Sequence, residues 1–175
     1  ARAAGARRFV QVSSPSVAHA GSPLVGAGAA PANPMTAHGS YSRTKAESEL
    51  IALAADAPGF AVVAIRPHLV WGPGDEQLVG RIIARARAGR LFLIDQGVAL
   101  IDTTVVDNAV SALIASVEHA EEQAVHGRAF VVSNGQPRTV AELLTRNQPK
   151  AAQLAAKGLV SLASVFRKKR PIVRP

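Results

Sequence analysis

The stretch FAVVAIRP, residues 60–67, decides how this chain folds. A strand with one wet face alternates apolar and polar residues. Six consecutive apolar residues before Arg66 leave no wet face, so this strand has to be covered on both sides, as in a parallel sheet flanked by helices. Pro67 ends it, because proline has no N–H to give to a ladder.

Upstream, RFVQVSS (8–14) is a second strand that runs into small hydroxyl residues at its carboxyl end. Residues 15–39 are rich in Pro, Gly, Ala and Ser without any period and read as a long loop, a length that is usually functional or disordered. SYSRTKAESEL (40–50) then opens a helix whose apolar stripe is expected to be Ala46, Leu50, Leu53 and Ala54, stopped near Pro58 and Gly59.

Downstream of WGPGD, residues 77–88 have helical spacing, with Leu78, Ile82 and Ile83 inward, Arg81, Arg85 and Arg87 outward, and Gly89 at the end. RLFLI (90–94) reads as a short strand. ALIDTTVVDNAVSALIASVEHA (99–120) begins as a strand and becomes a helix, with Asp107 as the expected N-cap. RAFVVSNG (128–135) is another strand, and TVAELLTR opens a helix in which Thr139 and Glu142 form a capping box. Strands alternating with helices mean an α/β fold with a mainly parallel sheet. No repeat and no clean domain boundary appears. The single shift in composition falls at Asn147, which divides a body (1–146) from a basic tail (147–175) expected to be helical or poorly ordered.

The charge bears this division out. Of 20 Lys and Arg against 12 Asp and Glu in the 175 residues, seven basic residues and no acidic one lie beyond Asn147, so the net +8 belongs largely to the tail. A basic tail without stacking aromatics is no nucleic-acid footprint, although it allows a weak contact with an acidic membrane surface. The absence of cysteine excludes disulfides, thiolate metal sites and a cysteine nucleophile, which makes a cytoplasmic setting the expectation. No apolar run is long enough to span a bilayer. The opening ARAAGARRF, with an Arg pair leading straight into a strand, reads as a cut in a longer chain.

The chemistry points to Tyr41 and Lys45. Residues four apart share a helix face, and an ammonium beside a phenol stabilises the phenolate, bringing a group of reference pKa about 10 toward the working range of an acid or base. Ser14, at the carboxyl end of the neighbouring strand, is placed to hold a substrate oxygen beside that phenol. Taken alone, such a Tyr-x-x-x-Lys spacing also fits a solvated helix face. Its position near the carboxyl ends of parallel strands, where open α/β sheets bind ligands, favours the catalytic reading.

With these residues in place, VSSPSV, YSRTK, IRPHLVWGPGD, DTTVVDNAVSAL and GRAFVVSNGQP together resemble, in order, the extended short-chain dehydrogenases. The resemblance is nearest to the 3β-hydroxysteroid dehydrogenase branch of the NAD-dependent epimerase/dehydratase group, including bacterial 2-alkyl-3-oxoalkanoate reductases. It implies a Rossmann-like sheet represented by its C-terminal half plus part of the substrate-binding region. It also implies an NAD- or NADP-dependent oxidoreductase acting on the secondary alcohol or ketone of a hydrophobic substrate. Tyr41 becomes the acid/base, and Lys45 lowers its pKa and holds the nicotinamide ribose. Ser14, with Ser13 as the alternative, holds the substrate oxygen. Pro67 and His68, with Arg66, line the nicotinamide end of the cofactor, and a homodimer through the Tyr41 helix, using Leu50, Ile51 and Leu53, follows by analogy. A nucleotide-sugar epimerase or dehydratase, in which an arginine of the 81–87 region would reach a substrate phosphate, is the alternative activity. A non-catalytic remnant is the alternative of another class.

The family's glycine-rich strand–turn–helix for the cofactor pyrophosphate has no counterpart here. Gly26–Gly28 lacks both a following helix and a third glycine at the required spacing. His19, His38, His68, His119 and His126 lack metal-ligand spacing, so no metal is expected. Asp75 and Glu76 read as no more than the polar start of a helix.

Overall fold

The computed structural model describes residues 1–21, 24–145 and 172–174. The order of elements is β1 (Arg8–Val12), α1 (Gly39–Ala54), β2 (Ala61–Pro67), β3 (Val70–Trp71), α2 (Val79–Arg87), β4 (Leu100–Ile101), β5 (Thr104–Val105), α3 (Val106–Glu118), β6 (Arg128–Ser133), β7 (Arg138–Thr139), α4 (Val140–Thr145) and β8 (Ile172–Arg174).

The main sheet runs β1-β2-β6-β8, with β1, β2 and β6 parallel and β8 antiparallel at the far edge. The central strand is β2, and every residue from Ala61 to Arg66 is buried, as its unbroken apolar run requires. Register shows how both faces are used. Val10 pairs with Val63 and Ile65 with Phe130, and with Val132 these side chains pack against Ala112 and Leu113 of α3. Gln11 pairs with Ala64, and with Arg66 they face α1, where Gln11 Nε2 donates to Ser48 Oγ at 2.9 Å. Burying a Val or Ile side chain contributes about 1.5–3 kcal/mol, so β2, gripped from both sides, anchors the domain.

Two short ribbons flank the sheet, β3 with β5 in parallel and β4 with β7 antiparallel. The start of α3 is held at the carboxyl end of β6. There Asn134 Oδ1 accepts from the Val105 amide at 3.1 Å and from Asn108 Nδ2 at 2.8 Å.

Four expectations are corrected. The inward residues of α1 are Ser42, Ala46 and Glu49, whereas Leu50 is exposed, because the sheet face opposite them ends in a cation, Arg66. RLFLI forms no strand. It runs extended into a 3-10 turn over Ile94–Gly97, where Asp95 and Gln96 take left-handed φ angles of 48° and 53°. The N-cap of α3 is Val105, which places Asp107 inside the first turn, where its charge suits the helix dipole. Asp75 is more than a polar start, since its carboxylate accepts from the amides of Gln77, Leu78 and Val79 and so caps α2. The Thr139–Glu142 capping box is present in both directions. Of the basic tail, only Ile172–Arg174 falls among the described residues, as a strand rather than a helix. The rest lies outside them.

Candidate functional site

At the carboxyl end of β1 the ladder continues one residue, Ser13 N–H donating to the Ile65 carbonyl at 2.7 Å, and then breaks at Ser14. Proline at the next position sets a helical φ without needing a partner for its missing N–H. Residues Pro15–Ala18 therefore wind into a 3-10 turn, capped by Ser14 Oγ, which accepts from the Ser16 amide at 3.3 Å and shares a 2.9 Å hydrogen bond with Ser16 Oγ. Val17 of this turn is fully buried against Ala46 of α1 and Ala32 of the long loop. Asn33 N–H, donating to the Val17 carbonyl at 2.9 Å, fastens that loop to the turn. Ser14 is thus locked to the helix that carries Tyr41 and Lys45.

Lys45 closes the arrangement from the helix side. Its Nζ donates to the Val12 carbonyl at 3.0 Å, two residues before Ser14. An ammonium carries three donors, so two remain for other oxygens. Tyr41 lies one turn earlier, at the rim of the buried face, 60% exposed, its phenol without a hydrogen bond among the described residues. The structure therefore joins Lys45 and Ser14 to the same strand end, and leaves the phenol open to solvent without a direct bond to either.

Pro67 and His68 follow at the carboxyl end of β2, where the His68 amide donates to the Val132 carbonyl at 2.9 Å. A small cleft of about 30 Å³ opens there between Pro15, Ala18, Leu24, Gly28, Arg66 and His68. Burial holds the His68 imidazole below its ordinary pKa of 6.5, against the opposing charge of Asp102. Ser13 Oγ is buried without a hydrogen-bond partner, an unusual condition for a buried hydroxyl.

Sequence reasoning missed Glu49. Its carboxylate takes a forked contact from Arg66, with Nη2 to Oε1 at 2.5 Å and Nε to Oε2 at 2.9 Å, while Arg66 Nη1 donates to the Ala30 carbonyl at 2.7 Å. The signal was available in the spacing. Glu49 stands four residues after Lys45 and eight after Tyr41, on the side turned to the sheet, across from an arginine that closes an otherwise apolar strand.

A larger cavity of about 470 Å³, lined by Arg7, Asp56, Phe60, Glu121 and His126 among others, lies at the opposite, amino ends of β1 and β2. Ligands of open α/β sheets bind outside the carboxyl ends, so size does not make this cavity the site.

The donor set near the carboxyl ends of β1 and β2 suits the nicotinamide end of a dinucleotide: spare Lys45 donors, an unbonded phenol and an orphaned Ser13 hydroxyl. A pyrophosphate is less well served. The turn from β3 into α2 contains Gly72 and Gly74 and opens a helix, but the Asp75 carboxylate already occupies its amides, and these contacts hold the Asp75 carboxyl below its ordinary pKa. A second anion there would be repelled. Gly28 lines the cleft instead of opening a helix.

The model of the 3-beta hydroxysteroid dehydrogenase/isomerase family matches residues 1–163. The chain is 44% identical over 152 residues to a 2-alkyl-3-oxoalkanoate reductase of Stenotrophomonas maltophilia (strain K279a), a match covering 83% of this chain and 45% of the reductase. It is 41% identical over 101 residues to the decarboxylating sterol-4-alpha-carboxylate 3-dehydrogenase of Mus musculus, covering 55% of this chain and 28% of that enzyme. Among solved structures, MoeE5 in complex with UDP-glucose and NAD aligns with a TM-score of 0.65 at 25% identity, over 88% of this chain and 50% of that one. The chain spans less than half the length of the curated relatives it matches.

Proposed function

The chain belongs to the 3-beta hydroxysteroid dehydrogenase/isomerase family, and on that premise we propose that it serves an NAD(P)-dependent oxidoreductase acting on the ketone or secondary alcohol of a hydrophobic substrate. The observation that carries this reading is the Lys45–Val12 contact of 3.0 Å, which pins the Tyr41 helix to the strand end where Ser14 begins its turn. A bound nicotinamide supplies or accepts hydride. The protein's part is the proton: Tyr41 Oη gives one to the carbinol oxygen during reduction and takes it back during oxidation. The Lys45 ammonium, one helical turn on, is held at the strand end by the Val12 carbonyl. Ser14 Oγ, oriented by Ser16, holds the substrate oxygen, with Ser13 as the other candidate. Lys45 donors hold the ribose, and Pro67 and His68 wall the nicotinamide.

Relatives named for 3-oxoalkanoates and for sterols support an apolar substrate over a nucleotide sugar. The coenzyme is NAD or NADP. The outer edge of β1 pairs with no strand among the described residues, which supports a further strand and its nucleotide-binding turn being added there. No described helix is long and apolar enough to cross a membrane, and the cysteine-free composition fits a cytoplasmic setting. Exposed Leu50 and Ile51 on α1 support pairing of two copies.

The test is reduction of 2-alkyl-3-oxoalkanoates and 3-oxosteroids, followed by NADH and NADPH absorbance, beside conversion of UDP-sugars, which is redox-neutral overall and is followed by chromatography of the product, in a polypeptide extended at its amino side by a glycine-rich strand–turn–helix. Turnover of the apolar ketones is expected, and turnover of UDP-sugars alone would sink the reading. Micromolar NADH or NADPH binding by these 175 residues alone would show that the added half is not needed.

A further inference from the structure

Arg66 borders the cleft at the carboxyl end of β2, yet each nitrogen of its guanidinium already has a protein partner. The side chain is buried, with Nε and Nη2 donating to the Glu49 carboxylate and Nη1 to the Ala30 carbonyl at 2.7 Å. Glu49 alone neutralises its charge, so the Nη1 arm serves another end. It reaches a backbone oxygen 36 positions earlier in the chain, and what it holds there is one wall of the cleft. The Ala30 amide donates to the Gly28 carbonyl at 3.0 Å, and Gly28, Ala27 and Leu24 are the loop's share of the cleft lining. The loop is fastened again just beyond, where Ala32 is buried with Val17 and Ala46 and the Asn33 amide donates to the Val17 carbonyl at 2.9 Å.

The cleft measures about 30 Å³, room for about one water molecule. It cannot take a whole substrate. Pro15, which lines it, directly follows Ser14, so a ketone held by the Ser14 hydroxyl would place its flanking carbons there, among the apolar Pro15, Ala18, Leu24, Ala27 and Val131. A fit this narrow depends on where the loop wall stands. We propose that Arg66 is a positioning residue for the reaction proposed above: its Ala30 arm sets the Leu24–Gly28 wall against the apolar carbons that flank the ketone. The substrate part rests on the oxidoreductase reading, whereas the hold on the loop does not. A lysine in place of Arg66 could meet Glu49 with its single ammonium, but it has no planar fork with which to reach Ala30 at the same time. Replacing both charged residues by apolar ones removes the arm without stranding a buried carboxylate.

Two variants remove the Ala30 arm in different ways, Arg66→Lys and Glu49→Leu/Arg66→Met. Hydrogen exchange followed by NMR on the 175-residue chain reads the loop. In both variants the Asn33 amide should exchange about tenfold or more faster, the effect of losing one charge-assisted hydrogen bond, while the ladder amides between β1 and β2 keep their rates. In the amino-extended polypeptide both variants should raise KM for a 2-alkyl-3-oxoalkanoate at least about tenfold, with smaller changes in kcat and in KM for the coenzyme. Urea midpoints of the same preparations separate position from stability. A KM that rises only in the less stable variant would make the pair merely structural and overturn the proposal. Unchanged Asn33 exchange in both variants would overturn it whatever the extended polypeptide turns over, and so would loop and ladder amides that accelerate together. Accelerated Asn33 exchange in a protein that turns over no apolar ketone would uphold the hold of Arg66 on the wall and sink only the oxidoreductase reading.

Discussion

Arg66 and Glu49 form a buried, two-point ion pair between the end of β2 and the middle of α1, with the two side chains 2% and 0% accessible. The third arm of the guanidinium takes the Ala30 carbonyl. One residue therefore fixes three things: the strand end that leads to Pro67 and His68, the helix that carries Tyr41 and Lys45, and the long loop that covers the cleft. Burying both charges is costly in itself. What the pair contributes is a defined position of α1 on the sheet.

Breaking the pair by removing one partner leaves an uncompensated buried charge, with an expected loss of about 3–5 kcal/mol for Glu49→Ala. Replacing both, as in Glu49→Leu with Arg66→Met, should recover a large part of that loss, because no charge is stranded. Urea denaturation of the two variants checks this. Equal loss in both would mean that the packing, not the charge, matters.

Tyr41 and Lys45 should separate stability from turnover. The Tyr41 phenol is exposed and bonded to nothing described, so Tyr41→Phe should leave stability within about 0.5 kcal/mol. In the amino-extended polypeptide it should lower kcat by about 10²–10⁴, the usual reach of one acid/base group. Lys45→Met also gives up the bond to the Val12 carbonyl, so it should cost about 1 kcal/mol of stability together with turnover. Denaturation midpoints and initial rates measured on the same preparations distinguish the two patterns.

Much of this was legible in the residues, and the failures have a common cause. FAVVAIRP announced a doubly covered strand because burial on both faces leaves no room for polar residues. Spacing and strand ends pointed to Tyr41, Lys45 and Ser14; of these the structure ties Lys45 to the strand end before Ser14 and leaves the Tyr41 phenol bonded to neither. RLFLI was misread because local apolar, β-prone character cannot tell whether a partner strand is near enough to pair with it. The stripe of α1 was misread because an apolar count overlooks a buried Glu49 that is neutralised by Arg66, a partner 17 residues away in sequence. The open phenol of Tyr41 and the unbonded hydroxyl of Ser13 are properties of three-dimensional placement, and no periodicity carries them.

The pair of Asp56 and His126 ties the end of α1 to the start of β6 and gives a pH dependence at the acid end. Asp56 Oδ1 accepts from the Val62 amide at 2.8 Å, and Oδ2 lies 2.8 Å from His126 Nδ1. Burial is the largest single influence and opposes ionisation. The Val62 amide, His126 and the Gly127 amide together outweigh it, so the carboxyl sits below its ordinary value of 3.8. A depressed carboxyl stabilises the fold fully above the unfolded value and loses that contribution as pH falls through the folded one. The advantage of wild type over Asp56→Asn should therefore hold from neutral pH to about 4 and shrink below it. A series of urea midpoints reads this, and a difference that stays flat into strong acid would contradict it.

His68 gives a second dependence at higher pH. Burial beside the cleft disfavours its imidazolium, and the Asp102 charge only partly offsets this, so its pKa lies below 6.5 in the folded protein. The unfolded chain then takes up the proton first as pH falls through 6.5, and the fold loses stability there. At neutral pH the ring meets any ligand in the cleft as a neutral group able to donate from one nitrogen and accept at the other. An NMR titration of the ring should show a midpoint under 6.5. His68→Gln, which keeps a polar side chain without the titration, should remove the part of the stability loss that sets in near pH 6.5. A midpoint at or above 6.5 would mean that the Asp102 charge outweighs burial, and the ring would then face the cleft partly charged.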